Sequence, residues 1–119
     1  MRLQIKEELG ISNRGNQARL KNVMKKAAAG EKLTIAFLGG SITQGSLATK
    51  PELCYASCVS NWWRENYKEA DFTFINAGIG GTTSHFAAAR VNEDVLSYQP
   101  DLVFVEFSVN DDPTPFFKE

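Results

Sequence analysis

Three short apolar runs, residues 33–38 (LTIAFL), 72–75 (FTFI) and 102–107 (LVFVEF), are almost unbroken, and the stretches between them are long enough for a helix. Such a run has no polar side to turn toward water, so it must be covered on both faces, which in practice means a parallel sheet between helices. Residues 53–67, with Cys54, Cys58, Trp62 and Trp63, predict one helix. Thr82, Thr83 and Ser84 offer N-caps for another, which runs to about Tyr98 and stops before Pro100. The order is strand, helix, strand, helix, strand. It predicts an α/β fold with right-handed crossovers.

Residues 1–30 read as a separate, basic helical extension ahead of this pattern at 31–119. They carry seven basic and two acidic side chains, whereas 31–119 carry six and twelve. Leu20, Val23, Met24, Ala27 and Ala28 form the apolar stripe of a helix that Gly30 ends. The stripe is small and lacks an aromatic residue, so it is expected to pack on its own domain rather than on a membrane.

The whole chain of 119 residues suits one domain, and its formal net charge of -1 offers no positive field for a nucleic acid. No apolar run approaches the roughly 18 residues of a membrane span, and the first ten residues lack the apolar stretch of a secretory signal. The expectation is a cytoplasmic protein with neither nucleic acid nor membrane as partner. Cys54 and Cys58 lie four apart and the sequence has one His, so neither a CxxC redox pair nor a zinc site is read. Both cysteines are expected to be small buried side chains.

Ligands on parallel sheets bind beyond the carboxyl ends of the strands, and there the sequence puts three polar turns: residues 39–46, 76–84 and 108–115. The first has the glycine spacing of a phosphate loop, but Ser46 stands where that loop needs Lys. In the second, Thr83 occupies the third glycine position of a dinucleotide fingerprint. A nucleophile elbow also fails, because residues 39–43 (GGSIT) end in Thr.

Acyl transfer fits better. Ser41 is presented at the end of the first strand between small neighbours, and three donors could meet an oxyanion: the Ser41 N–H, the Gly81 N–H and the Asn110 side chain. Taken singly, Ser41 as a helix cap, Gly81 as a turn former and Asn110 as an Asx-turn residue are the simpler readings. Jointly, at three strand ends, they favour a site.

These residues resemble the SGNH, or GDSL-like, hydrolases, a family of serine esterases and lipases, over about residues 32–113. Residues 37–43 (FLGGSIT) match the family's first block, residues 76–83 (NAGIGGTT) its Asn-x-Gly-x-x-Gly turn, and residues 108–111 (SVND) its Gly-x-Asn-Asp block. The resemblance implies a flavodoxin-like three-layer α/β/α fold and ester hydrolysis without metal or cofactor. It makes Ser41 the nucleophile and first oxyanion donor, Gly81 the second donor and Asn110 the third.

Gly40 replaces the Asp of the Gly-Asp-Ser form, and Ser108 replaces the third block's glycine, which puts the loop holding Asn110 in question. The larger departure is the family's Asp-x-x-His segment, which supplies the base and its orienting carboxylate and is not among these residues. His85 lies four residues after Gly81 and reads as an exposed helix-start residue, not as that base. Asp111 and Asp112 read as turn residues.

The expectation is therefore the N-terminal part of an SGNH-like domain, with the first three strands of its sheet and the rest of the same domain as partner. The isolated chain is expected to be nearly inactive and partly unfolded or aggregating. Its substrate is expected to be a small-molecule ester, with carbohydrate or lipid esters both open. A non-catalytic acyl- or glycan-binding module is the alternative, and a phosphate site on the same turns is a third. For the two tryptophans, one buried and one at the rim is expected, with a sugar-stacking surface as the sharper alternative.

Overall fold

The computed structural model describes residues 7–111. Four helices, α1 (Ala18–Ala28), α2 (Ser41–Gln44), α3 (Tyr55–Asn66) and α4 (Ser84–Asp94), accompany three strands, β1 (Lys32–Gly39), β2 (Asp71–Gly78) and β3 (Leu102–Glu106). The strands form one parallel sheet in the order β2-β1-β3, in register Lys32↔Asp71 and Ile35↔Leu102. The first strand is central. This is an α/β/α three-layer fold with an open parallel sheet, matching a flavodoxin-like topology truncated to a few strands.

β1 shows why its apolar run is unbroken. Leu33, Ile35 and Phe37 point into one core with Val23 and Ala27 of α1 and Ala56 and Trp63 of α3, while Ala36 and Leu38 point into a second with Ala87 of α4 and Val95. Helix α1 thus packs in the same core as β1. It ends as Gly30 implies: Gly30 has φ +76°, its N–H donates to Ala27 O, and the Glu31 N–H donates to Lys26 O. The stripe is narrower than the sequence pattern, because Leu20 and Ala28 are exposed.

Trp63 is 3% exposed and stacks on Tyr67, whereas Trp62 is 47% exposed and meets Trp63 edge-on. Adjacent helical positions cannot both face the sheet, which accounts for one tryptophan in the core and one at the rim. Cys54 is buried, but Cys58 is exposed, contrary to the expectation for both. Helix α4 is also shorter than expected. The chain leaves it where Val95 turns inward to complete burial, and a 3-10 turn, Leu96–Tyr98, leads to Gln99 at φ +49°.

At the other edge, Val105 on β3 is 64% exposed, and among the described residues no strand pairs with its free side. Among the described residues no helix is long and apolar enough to cross a membrane. Asp112, Pro113 and Pro115 lie outside the described residues.

Candidate active site

The carboxyl ends of the strands bring all three turns together. Helix α2 begins at Ser41 and lies directly across the ends of β1 and β2, closer than any side chain there would allow. A Cβ on Gly39 would fall on Thr43 Oγ1 and 2.6 Å from Glu106 O, and one on Gly78 would lie 2.7 Å from the Thr43 carbonyl carbon. Thr43, fully buried, anchors α2 from below, its hydroxyl 3.0 Å from that of Tyr55. Burial raises the Tyr55 pKa above the ordinary value, although the Thr43 hydrogen bond works against it. Asn76 holds the same helix from the side: its Nδ2 donates to Thr43 O at 2.9 Å, and its Oδ1 accepts the Gly78 N–H.

Ser41 is therefore not a cap. Gly40 occupies the N-cap position with no side-chain bond, and Ser41 is the first helical residue, with an N–H that has no partner within its own helix. Its side chain is part-exposed, and among the described residues no hydrogen bond ties up its hydroxyl.

The second turn is tied to both others. The Ile79 N–H donates to Gly39 O at 3.0 Å, the Gly80 N–H to Gln44 Oε1 at 2.8 Å, and Asn110 Nδ2 to Thr82 O at 2.9 Å. Gly81 lies between the last two ties. It has φ +73°, a conformation that favours glycine, and a Cβ there would meet nothing within 4 Å, so the position is glycine for its backbone conformation and not for want of room. A Cβ on Gly80 would come within 3.7 Å of Ser41 Cβ, and one on Gly40 within 3.1 Å of Asn110 Nδ2. Ser41, the residues beside Gly81 and the Asn110 amide thus converge on one spot.

The third turn answers the question raised by Ser108. Its N–H and hydroxyl both donate to Glu106 Oε1, so the serine is absorbed into the turn rather than displacing it. The Asn110 and Asp111 N–H groups then close on Phe107 O. Asp111 is more than a turn residue: Oδ1 accepts the Ser84 N–H at 2.8 Å, serving the first turn of α4 from 27 residues away. The N-cap itself is Thr83, which makes no side-chain bond.

Behind the site, Arg90 is nearly buried. It pairs with Asp94 at 2.9 Å and donates to Gly39 O at 3.3 Å. His85 is the second residue of α4 and is exposed. Among the described residues no group of three His, Cys, Asp or Glu side chains could hold a metal ion.

A shallow notch opens beside Ser41 between Gly40, Ile42, Val109 and Asn110. A larger groove of about 270 Å³ lies between α3 and β2, where Arg64 covers Phe74, and it does not include Ser41. The smaller opening is lined by Ser41 and Asn110 but not by Gly81. Sequence reasoning missed Gln44, Asn76 and Asp111 as ties between turns. Asn76 carried a signal, being part of the second block, whereas an isolated Gln in a turn carried none.

Known proteins resemble this chain in sequence and fold. A two-domain esterase active on acetylated mannans, solved with mannopentaose, is 64% identical and superposes with a TM-score of 0.93, over 97% of this chain and 32% of its own. Acetylxylan esterase from Geobacillus stearothermophilus is 34% identical over 107 residues, 79% of this chain and 48% of that protein. The crystal structure of Axe2, an acetylxylan esterase from the same organism, is 28% identical with a TM-score of 0.55, covering 72% of this chain and 45% of that one. The chain thus spans between a third and a half of the length of these relatives. Residues 37–118, which hold all three converging turns, match the sequence pattern of one family throughout. The chain belongs to the GDSL-like lipase/acylhydrolase family.

Proposed function

We propose that these residues form the nucleophile and oxyanion portion of a serine esterase that removes small acyl groups, acetyl above all, from carbohydrates. The observation that carries this reading is the convergence of an unencumbered Ser41 hydroxyl with the Gly81 turn and the Asn110 amide. In the proposed reaction Ser41 Oγ attacks the ester carbonyl. The oxygen that gains charge is met by the Ser41 N–H, the Gly81 N–H and Asn110 Nδ2, whose second hydrogen is left over from its bond to Thr82 O. The alcohol leaves, and water releases the acyl group from Ser41.

The base that takes the serine proton, and the carboxylate that orients it, belong in this reading to polypeptide outside the 119 residues. The partial coverage of the relatives supports that assignment. The named activities of the relatives, on acetylated mannans and as acetylxylan esterases, favour an acetyl group and a carbohydrate as its carrier.

The test is hydrolysis of acetylated manno- and xylo-oligosaccharides by the full-length protein, with and without Ser41→Ala. The substitution should abolish turnover. Undiminished activity in Ser41→Ala would overturn the reading. The 119-residue segment alone should be slower by about 10⁶-fold, the usual loss when a serine hydrolase lacks its base. Ready, Ser41-dependent activity from the segment would put the base within it and direct attention to His85.

A further inference from the structure

The geometry points to Gln44 as a positioning residue of the oxyanion site, one that locks the second turn to the helix carrying the nucleophile. The inference rests on the esterase reading above. Gln44 is the last residue of α2, three after Ser41. Its backbone is seated on Gly78, where a Cβ would lie 2.8 Å from Gln44 Cα, and its N–H donates to Gly40 O at 3.0 Å. From that fixed base the side chain reaches across to take the Gly80 N–H at 2.8 Å.

Gly80 immediately precedes Gly81, so this bond fixes one end of the peptide segment that presents the Gly81 N–H. Asn110 fixes the other end through Thr82 O. The two ties are counterparts, one from the first turn and one from the third. Gly81 itself has φ +73° and no neighbour within 4 Å of where a side chain would start, so the aim of its N–H is set by these two ties together with the Thr82 hydroxyl, which donates to Ile79 O at 2.6 Å across the turn. A side chain at position 80 would compete directly with this tie. A Cβ there would sit 2.9 Å from Gln44 Oε1, and Gly80 has no positive φ to demand glycine on its own account.

Gln44 touches no reacting atom in this scheme, so its removal should alter kcat and spare KM. Misplacing a catalytic donor by about 1 Å costs about a hundredfold, so Gln44→Met in the full-length protein should lower kcat by roughly tenfold to a hundredfold. Gln44→Glu keeps an acceptor of the same reach and should recover part of that loss. Gly80→Ala should expel the Gln44 side chain and produce the same defect, and Gly80→Ala combined with Gln44→Met should be no worse than either alone. By NMR, the Gly80 amide should exchange faster in Gln44→Met than in the wild type.

The inference is overturned by wild-type kcat in Gln44→Met, by strictly additive losses in the double variant, or by unchanged Gly80 exchange. It is equally overturned if the loss tracks a fall in melting temperature and Gln44→Glu restores nothing. Ser41→Ala reports on the esterase reading alone. If turnover proves independent of Ser41, that reading fails, and Gly80 exchange still decides whether Gln44 holds the turn.

Discussion

Replacing Gly78 by Ala tests whether the close seating of α2 on the sheet sets the position of the nucleophile. The added methyl would fall on the Gln44 main-chain nitrogen and come within 2.7 Å of the Thr43 carbonyl carbon and 2.8 Å of Gln44 Cα, all main-chain atoms that no rotamer change can move aside. Ordinary contact begins at 3.4 Å and the Gln44 nitrogen is the nearest of these atoms, so that stretch of α2 must retreat by about 1 Å or the end of β2 must bend away. Overpacking of this kind costs about 1–3 kcal/mol, and a displacement approaching 1 Å at a nucleophile costs up to about a hundredfold in rate. The assay pairs a denaturant midpoint with kcat on an acetyl ester, in Gly78→Ala and in Gly10→Ala, where an added methyl meets nothing within 4 Å. Gly78→Ala should lose both stability and kcat, and Gly10→Ala neither. A Gly78→Ala protein with wild-type kcat, or a crystal structure of it with α2 unmoved, would refute the reasoning.

Thr43→Val keeps the shape of a fully buried side chain and removes the partner of the Tyr55 hydroxyl, so it should cost about 1–2 kcal/mol in a denaturant melt with KM unchanged. Asn110→Ala removes both the proposed oxyanion donor and the tie to Thr82 O, and kcat should fall by about 10²- to 10³-fold, read against unchanged secondary structure by circular dichroism. The third case concerns pH. Burial by itself would push the Asp101 carboxyl up, but the Thr34 N–H at 3.0 Å and the Lys26 ammonium at 3.1 Å outweigh it and hold its pKa below the ordinary value. A depressed carboxyl contributes stability above its unfolded-state pKa and loses it as pH falls through the folded one. Asp101→Asn should therefore be about 1–3 kcal/mol less stable than wild type at pH 7, with the gap closing below about pH 4 in pH-dependent melts.

What could be read from the sequence was what repeats or recurs locally. The runs at 33–38, 72–75 and 102–107 became strands because burial on both faces leaves no other use for them, whereas the order β2-β1-β3 is not fixed by crossover handedness alone and was implied only by the family resemblance. Ser41, Gly81 and Asn110 were visible through the blocks around them; Ser41 and Asn110 line one notch, and Gly81 lies on the turn that Gln44 and Asn110 tie down. The ties among the turns were not legible. Gln44 reaches 36 residues ahead to Gly80, and Asp111 reaches back to Ser84, so neither partner can be inferred from spacing along the chain. Val95 ends α4 early because the second core has room for it, and Cys58 stays exposed because α3 turns its neighbours inward. Both outcomes depend on how whole elements dock.

A sheet whose first strand is central has a consequence for how the molecule forms. β1 is made first but pairs only with segments 39 and 67 residues later, and each pairing must close a loop before any contact repays it. The longer closure adds only about 0.5 kcal/mol over the shorter, so the delay comes less from entropy than from the need for β3 to arrive. Until it does, Asn110 and Asp111 cannot reach the second turn, and α4 has no acceptor for its first N–H. Helix content should therefore develop ahead of serine reactivity during refolding, with the competent pocket as the last feature to mature.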